Sequence, residues 1–362
     1  MKFPASLNDI IERIDTIDPK AYAQTRNYFS GAVSQLSPYI SRGIISTRFV
    51  YSRLRERYAA QECVRFVSEL LWREYFQRLQ QHDPSIDTRP RLGNGIGKRA
   101  IPEGMLRAAT GIDAVDTAIS NLYRDGYMHN HARMYTASLC IMAGYNYLQP
   151  ARWMYYHLLD GDVASNFCSW QWVAGLHTGK RYIANQENIN TYSGTAQKGT
   201  SLDKSYADIE QLSYLPELEE QAQLDFATLL PDPGELSLQD APVLIYNSYN
   251  LDPLWRKDST ANRILHLDPA HFAAYPVSEK VMDFIMAAAR HIDGLQIFKG
   301  AYSTLKSSYP NHTFIAKEHP LFSYPGAITD PRDWLAEKVD GAYPSFSKYY
   351  SAVKKIYYAD YI

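Results

Sequence analysis

Residues 127–139 read Y-M-H-N-H-A-R-M-Y-T-A-S-L, and residues 158–172 read L-L-D-G-D-V-A-S-N-F-C-S-W-Q-W. A tyrosine-rich, helix-compatible span joins them. Asn130, Arg133, Met134 and Ala137 recur at i, i+3, i+4 and i+7, one face of a helix. Asp162, Asn166 and Trp170 repeat every fourth residue and predict a second helical stripe. An arginine, two aspartates and two asparagines in an apolar setting are costly unless they pair or bind something polar. Asp160 and Asp162 are both candidate partners for Arg133. Spacing alone fits a buried ion pair between packed helices as well as it fits a binding site.

The chain has 362 residues, enough for two domains with cores of their own. At 46% hydrophobic and 21% charged it has the composition of a globular protein in water. Cys63, Cys140 and Cys168 are too few for a four-thiolate cluster and too scattered for a disulfide framework, which suits a reducing cytoplasm. The opening MKFPASLNDIIERID holds no long apolar run, so neither a signal peptide nor a membrane partner is expected. Net charge is −2, yet residues 1–200 carry 23 Lys+Arg against 17 Asp+Glu. The first half thus leans toward phosphate-bearing partners and the second half away from them.

The combination M-H-N-x-x-R-M (128–134) with D-G-D-x-A-x-N-x-x-x-W-Q-W (160–172) resembles the flavin-binding helical domain of DNA photolyases and cryptochromes. The resemblance implies an α-helical FAD-binding domain over 1–225. It sets Arg133, Asp160, Asp162 and Asn166 against the flavin, with Asn166 facing the flavin N5 as in photolyases. Asn130 and Met134 follow the cyclobutane-dimer class; the 6-4 class has a second histidine where Asn130 stands. Within the strongly periodic run 62–81, Glu69 and Trp72 match the E-x-x-W that meets the damaged base pair. Trp172 is the implied second half of a tryptophan clamp. Arg73 matches a residue near the flavin, and Phe66 stands where the family often has tryptophan.

Upstream, Tyr22 matches a cofactor-touching tyrosine. Val33 to Ser37 resembles the family's T-S-x-L-S diphosphate loop, which assigns Ser34, Gln35, Leu36 and Ser37 to the cofactor. Val33 replaces the threonine and removes one hydroxyl. Read from the residues alone, Ser34 or Ser37 predicts a helix cap with Pro38 at the first helical position, and Ser46 caps the next helix. For electron resupply, Trp170 matches the innermost tryptophan of the family's chain. The middle position falls on Tyr147, or on Leu148 if the gap is placed differently, and the outer one near Gly95. The usual triad is therefore not intact. Asn185, Gln186, Asn188 and Asn190 read as turn residues. Residues 93–99 look like a glycine-rich phosphate loop but follow no strand, so that reading is set aside.

Pro231, Asp232, Pro233 and Gly234 predict a linker over 226–241. From Pro242 the period changes. VLIYN, RILHLD, LQIFKG and TFIAK read as strands, with helical patterns in VSEKVMDFIMAAARHI and DPRDWLAEK. Alternation of this kind predicts a smaller α/β domain with a parallel sheet over 242–362. No G-x-G-x-x-G appears, so a dinucleotide site there is unsupported. This part faintly resembles the family's antenna domain, relocated from its usual N-terminal place; the other reading is a domain that only supports the helical one. No antenna chromophore is assigned.

The implied function is light-driven, FAD-dependent repair of cyclobutane pyrimidine dimers in DNA, by a monomeric lyase. A short 82–110 connection and the missing N-terminal antenna domain predict a preference for single-stranded DNA. The alternatives are a cryptochrome-like blue-light photoreceptor, a nucleic-acid-binding flavoprotein without repair activity, or a flavoprotein that has lost its light function.

Overall fold

The computed structural model describes residues 2–361 except Ile96 and Ser213. Helices α1 (Leu7–Asp15), α2 (Pro19–Thr25), α3 (Ser37–Ser41) and α4 (Thr47–Arg55) lead into α5 (Ala60–His82). A short strand β1 (Ile101–Pro102) and helix α6 (Glu103–Leu106) follow. Next come α7 (Asp113–Asp125), α8 (Asn130–Met142), α9 (Leu148–His157), α10 (Val163–Val173), α11 (Gln186–Ser193) and α12 (Tyr206–Glu210). β1 pairs antiparallel with β2 (Gln221–Ala222). This is the helical architecture that the first part of the sequence predicts.

The central element is α5. Residues 60–82 contain neither glycine nor proline, and the Glu62 carboxylate accepts the Ala59 N–H at 2.8 Å, which closes the helix start. Asp83 is extended because Pro84 follows it, and this ends the helix. α5 packs against α2, α10 and α16 (Phe346–Tyr361), so most of its circumference is buried. α7 stops at Gly126, whose left-handed φ of +68° and closeness to the Leu159 side chain leave no room for a Cβ.

The C-terminal part is a five-stranded, all-parallel sheet in the order β5-β4-β3-β6-β7. Its strands are β3 (Val243–Tyr246), β4 (Asn262–Leu267), β5 (Leu295–Lys299), β6 (Phe314–Lys317) and β7 (Ile328–Asp330). β3 is central and buried on both faces, which accounts for its unbroken apolar run. The connections carry α13 (Pro269–Ala274), α14 (Glu279–Ala289) and α15 (Tyr302–Ser308). The two parts share one continuous core. At Gly43, φ +61°, the backbone lies so close to the Tyr249 carbonyl that a Cβ would sit 2.2 Å from it.

Glu74 joins the two parts chemically. Its buried carboxylate accepts from Thr47 Oγ1 (2.5 Å), Leu335 N (2.6 Å) and Ala336 N (3.0 Å). Beside it the Trp334 ring lies between the guanidinium groups of Arg78 (3.8 Å) and Arg332 (4.1 Å).

Two sequence expectations are corrected. Neither Ser34 nor Ser37 caps α3: its N-cap is Leu36, with no side-chain bond, and Ser37 is already helical, so Pro38 is the second helical residue. Ser46 does cap α4, accepting from Phe49 N. DPRDWLAEK forms turns rather than a helix, because Glu74 takes the N–H groups of Leu335 and Ala336. The stretch 226–241 has neither helix nor strand but is tied down; Phe226 stacks on Tyr156 at 3.9 Å, and Asn262 accepts from Gln239 N. No helix among the described residues is long and apolar enough to cross a membrane.

Replacing Glu74 with leucine strands three buried donors. It is expected to lower unfolding stability by about 3 kcal/mol, with Glu74→Gln losing less, as read in denaturant titrations.

Candidate functional site

A cavity of about 560 Å³ opens between α2, α5, α8 and α10, a size that suits a cofactor or drug-sized ligand. The α8 face predicted from spacing, Asn130, Arg133, Met134 and Ala137, lines it entirely. Asn166 and Trp170 of α10 line it too, with Trp172 at its edge. α5 contributes Phe66, Glu69, Trp72 and Arg73, and the loop before α3 contributes Ser34, Gln35, Leu36 and Ser37. Tyr22 and Asp160 complete the set that the sequence singled out.

Two expected residues lie elsewhere. Asp162 sits behind the wall, where it caps α10 by accepting Ser165 N at 2.7 Å and also accepts from Gln77 Nε2 at 3.0 Å. Its second-row place follows from being the N-cap: the carboxylate turns back onto its own helix. Tyr147 is buried off the cavity, where its hydroxyl meets Gln171 Nε2 at 3.4 Å.

The turn 158–162 organises the polar groups. Arg133 Nη2 reaches both Asp160 oxygens, at 3.0 and 2.9 Å, and Arg133 Nε donates to Met128 O. Ser41 Oγ donates to Asp160 O at 2.9 Å and accepts from Arg73 Nη2 at 2.7 Å. Arg42, fully buried, donates to Leu159 O and Leu158 O. Arg73 Nη1 is buried without a hydrogen-bond acceptor; the nearest carboxylate oxygen, on Asp162, is 3.7 Å away. Asn166 Nδ2 donates to Ala151 O at 2.9 Å, so its amide is fixed with Oδ1 left as an unclaimed acceptor among the described residues.

In the loop 33–37, Gln35 adopts φ +52°, a left-handed conformation that costs a non-glycine residue on the order of 1 kcal/mol. Arg13 holds the Gln35 side chain at 3.3 Å. Among the described residues no hydrogen bond uses the backbone N–H groups of Ser34, Gln35 or Ser37. A cluster of free N–H donors at a helix start is a ready site for phosphate.

At the opposite side, Arg26 Nη2 pairs with Glu69 at 3.2 Å and Arg65 Nη2 with the same oxygen at 3.4 Å. Burial raises the Glu69 carboxyl, and Arg26 opposes the shift. Burial pushes His129 and His131 down to about 4; the neighbouring His131 and Arg133 add to the shift at His129, and Arg26 adds to that at His131. Arg26, Arg65, His129 and His131 were not picked as site residues. The signals were there, Arg26 one turn after Tyr22 and Arg65 one turn before Glu69, but surface helices carry such spacings routinely.

Phosphate-ready N–H groups, a free amide acceptor and apolar walls fit a flavin dinucleotide, whose flat rings are apolar and whose diphosphate is anionic. Comparison with known proteins agrees. Residues 66–241 match the family model described as the FAD binding domain of DNA photolyase. The deoxyribodipyrimidine photo-lyase of Streptomyces griseus is 34% identical over 154 residues, 41% of this chain and 34% of that protein. Cryptochrome DASH of Danio rerio is 28% identical over 219 residues, 56% of this chain and 40% of its own. The Synechocystis sp. PCC6803 cryptochrome structure aligns at 27% identity over 53% of this chain and 44% of that chain, with a TM-score of 0.47. Through residues 66–241 its helical part is similar to the photolyase/cryptochrome family. It aligns with well under half the length of these two curated relatives.

Arg133→Ala leaves Asp160 nearly buried and uncompensated and is expected to cost about 3–5 kcal/mol of stability in denaturant melts. A second expectation concerns acid. The folded-state values of His129 and His131 lie below the ordinary 6.5, so their contribution is present above pH 6.5 and is lost as pH falls toward 4. Thermal melts across that window should show stability falling with acid, and His129→Gln should flatten the slope.

Proposed function

We propose that this cavity holds FAD and that the protein uses it for light-driven repair of cyclobutane pyrimidine dimers in DNA. The carrying observation is that one cavity gathers flavin-side residues (Arg73, Arg133, Asp160, Asn166 and the 34–37 loop) and lesion-side residues (Glu69, Trp72, Asn130, Met134, Trp172). A pure photoreceptor has no use for the second group.

FAD held there would supply the one-electron photochemistry that ring opening needs. The chain's own residues do the rest. The N–H groups of Ser34, Gln35 and Ser37 would hold the diphosphate, with Arg73 on the wall beside the flavin. Asn166 Oδ1, an acceptor, would face an N–H of the reduced ring system, which selects that redox state. Tyr22 and Phe66, edge to face at 4.8 Å, close one wall. An extruded lesion lacks its stacking neighbours, and Trp72 and Trp172 offer replacements worth ~1–3 kcal/mol per base. Glu69, steadied by Arg26, can hydrogen-bond the pyrimidine edges. Trp170 forms part of the cavity wall and is the first relay for electrons arriving from outside.

A second reading, a cryptochrome-like photoreceptor, is favoured by one observation: Tyr147 stands off the cavity, and the sequence has no tryptophan at the middle and outer positions of the family's triad. The short 82–110 connection supports single-stranded lesions as the preferred substrate.

Purified protein is expected to show flavin absorption, and Arg73→Ala to lose most of it. Under blue light the reduced protein should remove dimers from an irradiated oligonucleotide, faster on single strands than on duplex. Trp172→Ala should weaken lesion binding about tenfold, measured by titration with labelled oligonucleotide. Flavin present with no light-dependent loss of dimers on either substrate favours the photoreceptor.

A further inference from the structure

The geometry points to Phe346, in the first turn of α16, as the positioning residue that sets the ring plane of Trp72 for the lesion. The inference rests on the repair reading above and deepens it: it assigns the C-terminal part a share in recognising the substrate.

Trp72 lines the cavity, and Phe346 does not. The two rings stack at 3.9 Å between centroids with planes 12° apart, so Phe346 covers the face of Trp72 turned away from the cavity. The stack continues outward. Phe346 lies nearly parallel to Tyr350, at 5.6 Å and 15°, and the Lys354 ammonium stands 4.8 Å from the Tyr350 ring centroid. Tyr75 and Phe76 hold the edges of Trp72, at 5.8 and 5.4 Å. α16 is itself pinned by Tyr349 and Val353, 0% and 1% exposed. Trp72 is therefore half-buried at the cavity edge, yet fixed on its covered face and along its edges.

An unbacked tryptophan there would sample rotamers, and a base stacking on it would have to freeze them. Ordering even a two-χ side chain on binding lowers affinity by a few-fold. A ring already stacked has lost that freedom during folding, so the whole stacking gain goes to the ligand. Leucine at 346 fills similar space but offers no flat face; tyrosine keeps the face.

The test compares wild type with Phe346→Leu, Phe346→Tyr and Trp72→Phe in the flavin-loaded full chain. One readout is the near-ultraviolet circular dichroism band that Trp72→Phe removes. The other is the ratio of affinities for a dimer-containing and an undamaged single-stranded oligonucleotide. Phe346→Leu is expected to lose the Trp72 band and to lower the affinity ratio about fivefold at unchanged flavin content, while Phe346→Tyr retains both. The inference is overturned if Phe346→Leu keeps the band, or loses it and still discriminates like wild type. Should Phe346→Leu fail to fold, Phe346→Met carries the same comparison. If wild type itself does not discriminate lesions, the repair reading falls, and the circular dichroism arm still decides whether Phe346 orders Trp72.

Discussion

Five residues, Leu158 to Asp162, receive the polar side chains of three helices, and the cavity's shape follows from that turn. Arg133 comes from α8, Ser41 and Arg42 from α3 and its C-terminal end, and Arg73 of α5 bonds Ser41 and stands 3.7 Å from Asp162. Each bond is ordinary in isolation. Their joint effect is to fix the mutual distances of the helices that wall the cavity, because a buried guanidinium cannot drift from its acceptors without stranding a charge. The turn sets where the cavity's polar groups stand. Asp160 and Asp162, two residues apart, thereby divide the work. Asp160 faces the cavity with Arg133, while Asp162 turns inward to cap α10 and steady Arg73.

α5 carries this order across the molecule. Phe66, Glu69, Trp72 and Arg73 face the cavity, while Glu74 and Arg78, directed away from it, hold the segment 334–337. A helix 23 residues long is about 35 Å, enough to span a small domain. The sheet therefore does not hang from the helical part by its connecting stretch alone. It is fastened through buried carboxylate bonds, through the close approach at Gly43, and through the Tyr155–Tyr249 hydroxyl contact at 2.7 Å. Displacing α16 would be felt at Trp72 within one ring thickness.

What the sequence made legible follows from what has a period or a motif. The α8 stripe, the long α5, the four core strands and helix α14 all have strong periodicity, and all form as read. The cavity residues were legible because two spaced motifs coincide. The misreadings have a common cause. DPRDWLAEK has a helical pattern, but a buried glutamate 261 residues earlier in the chain takes its N–H groups. Ser34 and Ser37 look like caps, but the loop puts Gln35 in a left-handed turn and leaves the N–H groups open. In both places a long-range or ligand-directed demand outweighs local propensity. Phe346 was illegible for another reason: nothing in residues 340–350 announces a partner on α5.

The strained Gln35 bears on which demand shaped the loop. Glycine would relieve the left-handed conformation, and a threonine in place of Val33 would supply another hydroxyl donor. This chain has neither, so the donors the loop offers are the Ser34 and Ser37 hydroxyls and the backbone N–H groups. Backbone donors are fixed in direction only if the loop is rigid. Here rigidity comes from Arg13 on the Gln35 side chain and from Leu36, buried at 1% exposure. An unstrained, flexible loop would offer the same atoms but would have to order them on binding. The strain is thus the local counterpart of the stacked Trp72: conformational freedom given up in folding so that little remains to be lost when a ligand arrives.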